Sequence, residues 1–371
     1  MAQSVSLAAN RPEIWQKELY ANVIDNLYFT KNNMMGKGAN NIVQIKDELT
    51  KQKGDTVTFP LTTKLSGSGV TGDSELEGNE ERITAYSQSI VIDQWRNAVR
   101  LTGKLDEQTN SYDMRSDAKD KLSIQAQEFI ERQIFLKLGG VTLTTLVDVA
   151  GVVYSARAAF ANSPAAISDA NTAAGIGNRY LCANSSGADA LAATDKITPA
   201  LISRLRIIAE GASPKIQPIK INGKNWYLLF VHPYQAYDLK QNAVFSQAQR
   251  EALPRSEDNP IFTNAMGAWD GVIIHSHEYC PFLDKTVAYN FNTAAGGTNY
   301  GVDAYRAILC GQQAAGFAQC KNPNGWVEKS FDYDNEVGFA TALIGGIQKI
   351  LFNSKEYGTI VLDTASSITV A

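Results

Sequence analysis

Two runs of alternating apolar and polar residues flank a glycine-rich, acidic segment in the first third of the chain. The runs cover residues 55–61 and 87–93, and the segment between them includes Gly67, Gly69 and Gly72. Alternation with a period of two predicts β-strands, so residues 54–103 are predicted to form a strand, a long loop and a returning strand. Because an isolated hairpin is marginally stable in water, we expect another copy of the chain to cover this projection.

Residues 113–138 carry the clearest helical pattern. Asp113 is a plausible cap, Gly139 and Gly140 end the pattern, and charged residues including Lys137 occupy much of the remaining surface. At about 1.5 Å per residue the predicted helix is nearly 40 Å long. Its apolar face has residues spaced three or four apart: Ala118, Leu122, Ala126, Phe129, Ile130, Ile134 and Leu138.

Shorter patterns predict the remaining elements. Residues 11–35 suggest an arm with a short helix, and Thr198 before Pro199 predicts a capped helix. The pair Asn222 and Gly223 between two strand-like runs predicts a tight hairpin turn. Strands and helices lack the regular alternation of a doubly wound sheet, so the fold class is α+β. Further strands are predicted at residues 272–277, 286–292, 307–310, 330–352 and 359–362.

Composition describes an ordered globular protein. The 371 residues are 44% hydrophobic and 19% charged, with a formal net charge of −4, so there is room for two or three packed units and no basic footprint for nucleic acid. No signal peptide and no apolar run of membrane-spanning length is present, which predicts a soluble protein made in the cytoplasm. The cysteines are widely spaced and are predicted to be free thiols: Cys182, Cys280, Cys310 and Cys320.

Candidate catalytic groups are sparse. Acidic residues, not a helix, follow the three loop glycines, which argues against a phosphate-binding loop. His275 and His277 share one face of a predicted strand, with Cys280 and Asp284 downstream; a metal site there needs a third ligand converging in space. Acids on a glycine-rich loop are too loosely held for acid–base catalysis. We therefore assign no catalytic residue, cofactor or metal, and keep a metal-dependent enzyme around the two histidines as an alternative.

Several segments, in order along nearly the whole chain, resemble the major capsid proteins of tailed phages. The resemblance rests on residues 54–61, 67–73, 76–80, 92–94, 269–278, 331–338 and 363–365. It implies the Hong Kong 97-like capsid fold, which consists of an N-terminal arm, an extended loop, a peripheral domain with a long spine helix, and an axial domain. The implied limits are 1–49 for the arm and start of the peripheral domain, 50–103 for the loop, 104–144 for the spine helix, 145–322 for the axial domain and 323–371 for the C-terminal return to the peripheral domain.

The resemblance also implies a function and partners. Hexamers and pentamers of the chain would form an icosahedral head shell around double-stranded DNA, with weak, non-specific contact to that DNA. No long segment precedes the arm, so a separate scaffolding protein is expected, together with a portal and possible decoration proteins. The protein would be made in the host cytoplasm and reside in the virion, with no membrane partner. A decoration or tail subunit is a second alternative.

The extended loop is predicted to contact a neighbouring subunit in two ways. Its apolar positions would be buried on the neighbour's peripheral domain: Val57, Phe59, Leu61, Ile90 and Ile92. Its acidic tip would meet basic residues of that neighbour. The acids are Asp73, Glu75, Glu77, Glu80 and Glu81, and the candidate cations are Arg115, Lys119 and Arg132.

Overall fold

The computed structural model describes residues 23–24, 26–47, 54–62, 69–81, 83, 85–109, 114–141, 162, 167, 179–251, 265–285, 300–320 and 327–368. The predicted cap at Asp113, the predicted strand at 286–292 and the first 22 residues of the arm lie outside this set.

The described residues contain helices and strands in the mixed order predicted for an α+β fold. The helices are α1 Tyr28–Lys31, α2 Lys104–Thr109, α3 Met114–Gly139, α4 Pro199–Gly211, α5 Pro233–Gln241 and α6 Ala243–Glu251. The strands are β1 Met35–Gly36, β2 Val43–Lys46, β3 Thr56–Thr62, β4 Ala85–Val91, β5 Asp93–Arg100, β6 Tyr180–Cys182, β7 Ile219–Ile221, β8 Lys224–Val231, β9 Ala265–Trp269, β10 Val272–Ser276, β11 Phe282–Leu283, β12 Ala304–Cys310, β13 Ala315–Gln319, β14 Val327–Phe331, β15 Glu336–Lys349, β16 Leu351–Phe352, β17 Lys355–Glu356 and β18 Thr359–Ala365.

The long helix α3 is close to its prediction. All seven residues of the predicted apolar face are buried. The helix ends with Gly140 at a φ of 67°, where the Val141 amide donates to the Leu136 carbonyl at 3.1 Å, and glycine is the residue best suited to that left-handed position. The prediction of an exposed polar face is wrong for the last two turns of α3. Every residue from 133 to 139 is buried, including Lys137. Burial disfavours the charged form of Lys137 and lowers its pKa to about 8.

Two sheets organise the chain. The first contains β1, β2, β13, β15, β14 and β5, with β15 at its centre. The second follows the order β6-β18-β12-β8-β10-β9, with β11 beside β12 and β7 beside β8. Two further pairs, β3 with β4 and β16 with β17, stand outside these sheets.

Two strands near the implied domain limits pair with strands that are distant in sequence, while the limits themselves stay a prediction. β13, which the resemblance places in the axial domain, pairs with β15 and β2 of the first sheet. β18, placed in the peripheral domain, pairs with β12 and β6 of the second sheet. The chain therefore crosses between the sheets near residues 311–314 and again near 357–358. Such pairings join residues distant in sequence, so local patterns do not reveal them.

Two local predictions, a hairpin turn and a helix cap, are confirmed. Asn222 and Gly223, with φ values of 49° and 75°, form the turn between β7 and β8, and consecutive positive φ values are those that a tight hairpin turn requires. The Thr198 side chain caps α4 by accepting a hydrogen bond from the Leu201 amide at 3.4 Å, and Pro199 occupies the first turn.

The first sheet is covered on both faces. Three residues on one face of β15, Phe339, Leu343 and Ile347, pack in one cluster with the apolar face of α3. Because side chains alternate along a strand, Gly346 faces the opposite side, where it meets the base of the β3–β4 pair. Helix α3 and the β3–β4 pair therefore lie on opposite faces of one sheet.

The four cysteines are free, as predicted, and the structure buries all four. No helix among the described residues is both long and apolar enough to cross a lipid bilayer.

Candidate functional site

The segment predicted to contact other subunits is the projecting hairpin, which we define as β3, β4 and the residues between them. Thr56 pairs with Val91 at its base, and Thr62 pairs with Ala85 farther out. The seven strand positions of each arm confirm the predicted strand–loop–strand arrangement. Residues 69–81 and 83 form its described tip.

The base of the hairpin is buried by its own subunit. Val57, Phe59 and Ile90 are 2% exposed or less and form the hairpin-base cluster with Ala318, Ile350 and Phe352. For these three hairpin residues, the expectation that a neighbour's peripheral domain covers them is wrong. The alternation of the strand predicts that one face is buried, but it does not identify which surface buries it.

Two other predicted contact residues lie at the edge of the same cluster. Leu61 and Ile92 are partly buried and pack against it. Contact of their remaining surface with a neighbouring subunit stays a prediction. A glycine in β13 allows the hairpin to pack closely on the first sheet. A methyl group on Gly316 would lie 2.8 Å from Ile90 Cδ1 and 2.9 Å from Phe59 Cζ.

The tip presents its predicted acids to solvent. All five acidic residues between Asp73 and Glu81 are exposed. Local bonds give the tip a defined turn, since the Asn79 amide donates to the Leu76 carbonyl at 3.0 Å and the Gly78 amide donates to Glu80 Oε2 at 2.8 Å. The tip is therefore an exposed anionic surface on a turn with internal hydrogen bonds.

Two apolar residues of the tip escaped the sequence reasoning. Leu76 and Ile83 are 61% and 63% exposed, although leucine and isoleucine are usually buried in folded proteins. Their signal was present in the sequence as two isolated aliphatic residues in an acidic, glycine-rich segment. Such residues suit the apolar centre of a protein contact with a charged rim.

The three candidate cations lie on α3 and make contacts in their own subunit. Arg115 pairs with Glu328 at 3.1 Å and lies over the Phe339 ring, and Arg132 lies over the Tyr279 ring at 5.0 Å from its centre. Lys119 is half-buried. Pairing of these cations with the tip acids of another subunit stays a prediction.

The two histidines of the alternative metal site belong to an aromatic cluster. His275 Nδ1 lies 3.0 Å from the Tyr28 hydroxyl, and the His277 ring stacks on Phe135 with centres 4.5 Å apart. Glu131 Oε1 accepts a hydrogen bond from the Tyr28 amide at 2.5 Å, and Glu131 Oε2 lies 4.0 Å from His277 Nε2. In the described part of the chain, no group of three or more His, Cys, Asp and Glu side chains is arranged to hold a metal. The cluster instead joins α1, α3 and the end of β10.

A buried ion pair connects helix α3 to the second sheet. Arg306 and Asp363 face each other on β12 and β18 with both side chains fully buried. Arg306 donates to both carboxylate oxygens at 2.7 Å and also to the Gly139 carbonyl at 2.7 Å, while the Tyr300 hydroxyl donates to Asp363. Burial lowers the pKa of Arg306, but Asp363 more than offsets this, and the net pKa is raised.

The sequence reasoning did not identify this pair. In the sequence, each of the two strands contains a single charged residue among uncharged and mainly apolar ones, and a charge buried in such a strand needs a partner. The consequence is a fixed join between the C-terminal end of α3 and the strands of the second sheet.

Comparisons with known proteins agree with this architecture. A family model described as "Phage capsid protein" matches residues 5–368. The major capsid protein of Pseudomonas phage KPP25 is 30% identical over 345 residues, covering 89% of each chain. The capsid of Ralstonia phage GP4 matches with a TM-score of 0.77 and 24% identity, covering 99% of this chain and 95% of the other. The capsid of Cyanophage Pam1 matches with a TM-score of 0.69 and 22% identity, covering 90% and 91%. This chain therefore belongs to the phage capsid protein family and has the Hong Kong 97-like capsid fold.

Proposed function

We propose that this chain is the major capsid protein of a tailed phage, and that its hexamers and pentamers form the icosahedral head shell around double-stranded DNA. Its role is structural, and its place is the virion. The 30% identity to a phage major capsid protein over 89% of both chains supports the proposal.

The observation that carries the proposal is the contrast between the two ends of the projecting hairpin. The base is packed into the hairpin-base cluster, while the tip exposes five acids together with Leu76 and Ile83. An element anchored at one end and exposed at the other is suited to contact a second copy of the chain. In a closed assembly every copy both offers and receives such a contact.

The interior of the shell follows from the same proposal. A net charge of −4 gives little attraction for DNA phosphates, so contact with packaged DNA is weak and non-specific. A separate scaffolding protein and a portal take part in assembly, decoration proteins are possible additions, and synthesis takes place in the host cytoplasm.

Electron microscopy of the purified full-length protein tests the proposal directly. We expect closed shells, or sheets and rings with local sixfold order, and particles of one diameter after density-gradient separation. A protein that remains monomeric at every concentration and ionic strength, with and without the phage's other head proteins, would contradict the proposed function.

Neutralising the tip should weaken assembly through loss of charge attraction. Changing Glu75, Glu77, Glu80 and Glu81 together to glutamine is expected to lower shell yield and heat tolerance, with a larger effect at low salt. At about 1 M salt the Debye length falls to about 3 Å, so the parent loses the same attraction and the two proteins should converge. Light scattering across a salt series measures the difference.

A control neutralises two acids elsewhere on the surface, half the number changed at the tip. Glu107 and Asp189 are exposed and lie outside the tip, so glutamine and asparagine there should leave the salt dependence of the parent unchanged. Equal yield and heat tolerance of the tip variant and the parent at low salt would contradict a charged tip contact.

A further inference from the structure

The projecting hairpin joins the first sheet at the short junction between β4 and β5. Asp93, the first residue of β5, pairs with Gly345 in the first sheet. Val91, the last residue of β4, pairs with Thr56 in the hairpin. Ile92 lies between these two pairing regions, and its amide donates to the Asp55 carbonyl at 3.0 Å, so hydrogen bonding across the hairpin extends one residue past Val91. The direction of the hairpin relative to the sheet is therefore set around Val91 and Ile92.

The Asn162 side chain forms hydrogen bonds with both the backbone amide and the backbone carbonyl of Val91. The Val91 amide donates to Asn162 Oδ1 at 3.1 Å, and Asn162 Nδ2 donates to the Val91 carbonyl oxygen at 2.6 Å. A side-chain amide has one donating and one accepting end, so here it replaces the pairing that another strand would supply. Asn162 lies 71 residues away in sequence, and it therefore ties Val91 to a distant part of the chain.

Gly346 in β15 leaves room for the backbone of Val91 to lie close against the first sheet. A methyl group on Gly346 would overlap with the Val91 carbonyl oxygen and would lie 2.9 Å from Ile90 Cγ2. The first obstacle is a backbone atom, which cannot rotate aside as a side chain can. Any residue larger than glycine must therefore displace the hairpin from the sheet or bend the chain at Val91.

We propose that Asn162 and Gly346 are positioning residues that fix the direction in which the projecting hairpin leaves the subunit. The inference rests on the proposed function, in which the hairpin tip contacts a second copy of the chain. Ile83 lies eight positions before Val91, so at about 3.3 Å per residue the tip lies about 26 Å from this point. A rotation of about 10° at Val91 then moves the tip by about 5 Å, which is enough to misalign its side chains with a partner surface.

Two variants and two matched controls test the inference. Asn162→Asp keeps the acceptor for the Val91 amide but replaces the donor by a carboxylate oxygen that repels the Val91 carbonyl. Gly346→Ala adds the overlapping methyl group. Gly211→Ala adds a methyl group with no heavy atom within 4 Å, and Asn242→Asp retains the oxygen that accepts from the Val244 amide at the start of α6.

The first measurement uses the unassembled full-length chain. Nitroxide labels are placed on cysteines substituted for Ser74 in the tip and Lys121 on α3, both exposed, while the four native cysteines are buried. We expect one narrow distance distribution in the parent and both controls, and a broadened or shifted one in both test variants. Hydrogen exchange of the Val91 amide should be about tenfold faster in Asn162→Asp, since local opening becomes easier.

Shell yield is the second measurement, and we expect it to fall in both test variants and to stay at the parent level in both controls. Distance distributions and exchange rates identical to those of the parent in both test variants would overturn the inference. A changed distance distribution with an unchanged shell yield would support the positioning of the hairpin but would contradict the proposed tip contact, so failures of the two proposals are distinguishable.

Discussion

Replacing Arg306 by methionine is expected to destabilise the subunit by about 3 to 5 kcal/mol, because the change leaves the Asp363 carboxylate buried without its cation. Both side chains are fully buried, and the Gly139 carbonyl at the end of α3 loses its donor as well. Since most domains are stable by only about 5 to 15 kcal/mol, we expect a large loss of folded protein and of shells. Urea denaturation of the unassembled subunit measures the change.

An exposed arginine supplies the control. Arg206 pairs with Glu210 and Asp270, and about a third of its side chain is exposed. Arg206→Met should cost less than about 1 kcal/mol, the usual range for surface pairs. Removing both charges of the buried pair, by Arg306→Met with Asp363→Leu, should recover much of the lost stability. A single Arg306→Met change with the stability of the parent would contradict the role of this pair.

Lowering the pH from 7.5 to 4 is expected to remove about 3 kcal/mol of subunit stability for each of two buried histidines, His232 and His277. Burial lowers the pKa of His232 from 6.5 to about 4. Burial, followed by the nearby His275, lowers the pKa of His277 to about 4. The folded state thus favours the neutral rings, so their stabilising contribution is complete above pH 6.5 and is lost as the pH falls towards 4.

Surrounding groups modify this pH dependence. Burial raises the pKa of Glu131, which lies beside His277. An acid with a raised pKa in the folded state favours folding as the pH falls, so Glu131 partly offsets the histidines. Urea denaturation at a series of pH values measures the net change in the free energy of unfolding.

Replacing His232 and His277 by asparagine separates the effect of histidine protonation on stability from the effects of other groups that titrate at low pH. His277 Nδ1 accepts from the Tyr279 amide at 3.2 Å, and His232 Nδ1 accepts from the Tyr234 amide at 3.3 Å. The side-chain oxygen of asparagine can take over both roles without titrating. The double variant should be less stable at pH 7.5, through loss of ring packing, but should lose less stability on acidification. A pH dependence identical to that of the parent would contradict the assignment.

Local elements were predictable because their causes are local. The face of α3 follows from the spacing of its apolar residues, and its end follows from Gly139 and Gly140. The turn at Asn222 and Gly223 follows from the backbone conformations that these residues tolerate. The resemblance to phage capsid proteins added the overall fold, which local patterns alone did not specify.

Pairings between distant residues were not predictable in the same way. The placement of β13 and β18 in their sheets depends on contacts with strands far along the chain. Lys137 was assigned to a solvated face. In the structure, Ile134, Phe135 and Leu138 pack in the cluster shared with β15, while Leu136 and Val141 pack in a second cluster with residues of β6 and β18. Burial of a lysine there depends on surrounding elements, which the helix's own periodicity does not contain.

The sequence by itself determined the alternation of the projecting hairpin, the long helix after it and the acidity of the tip, because each depends on neighbouring residues. Only the tertiary structure decided that Val57, Phe59 and Ile90 are buried by their own sheet, that Asn162 and Gly346 meet at Val91, and that Arg306 joins α3 to β18. The physical reason is that burial and pairing depend on which distant surfaces meet in space, whereas strand and helix periodicity depends on the local chain.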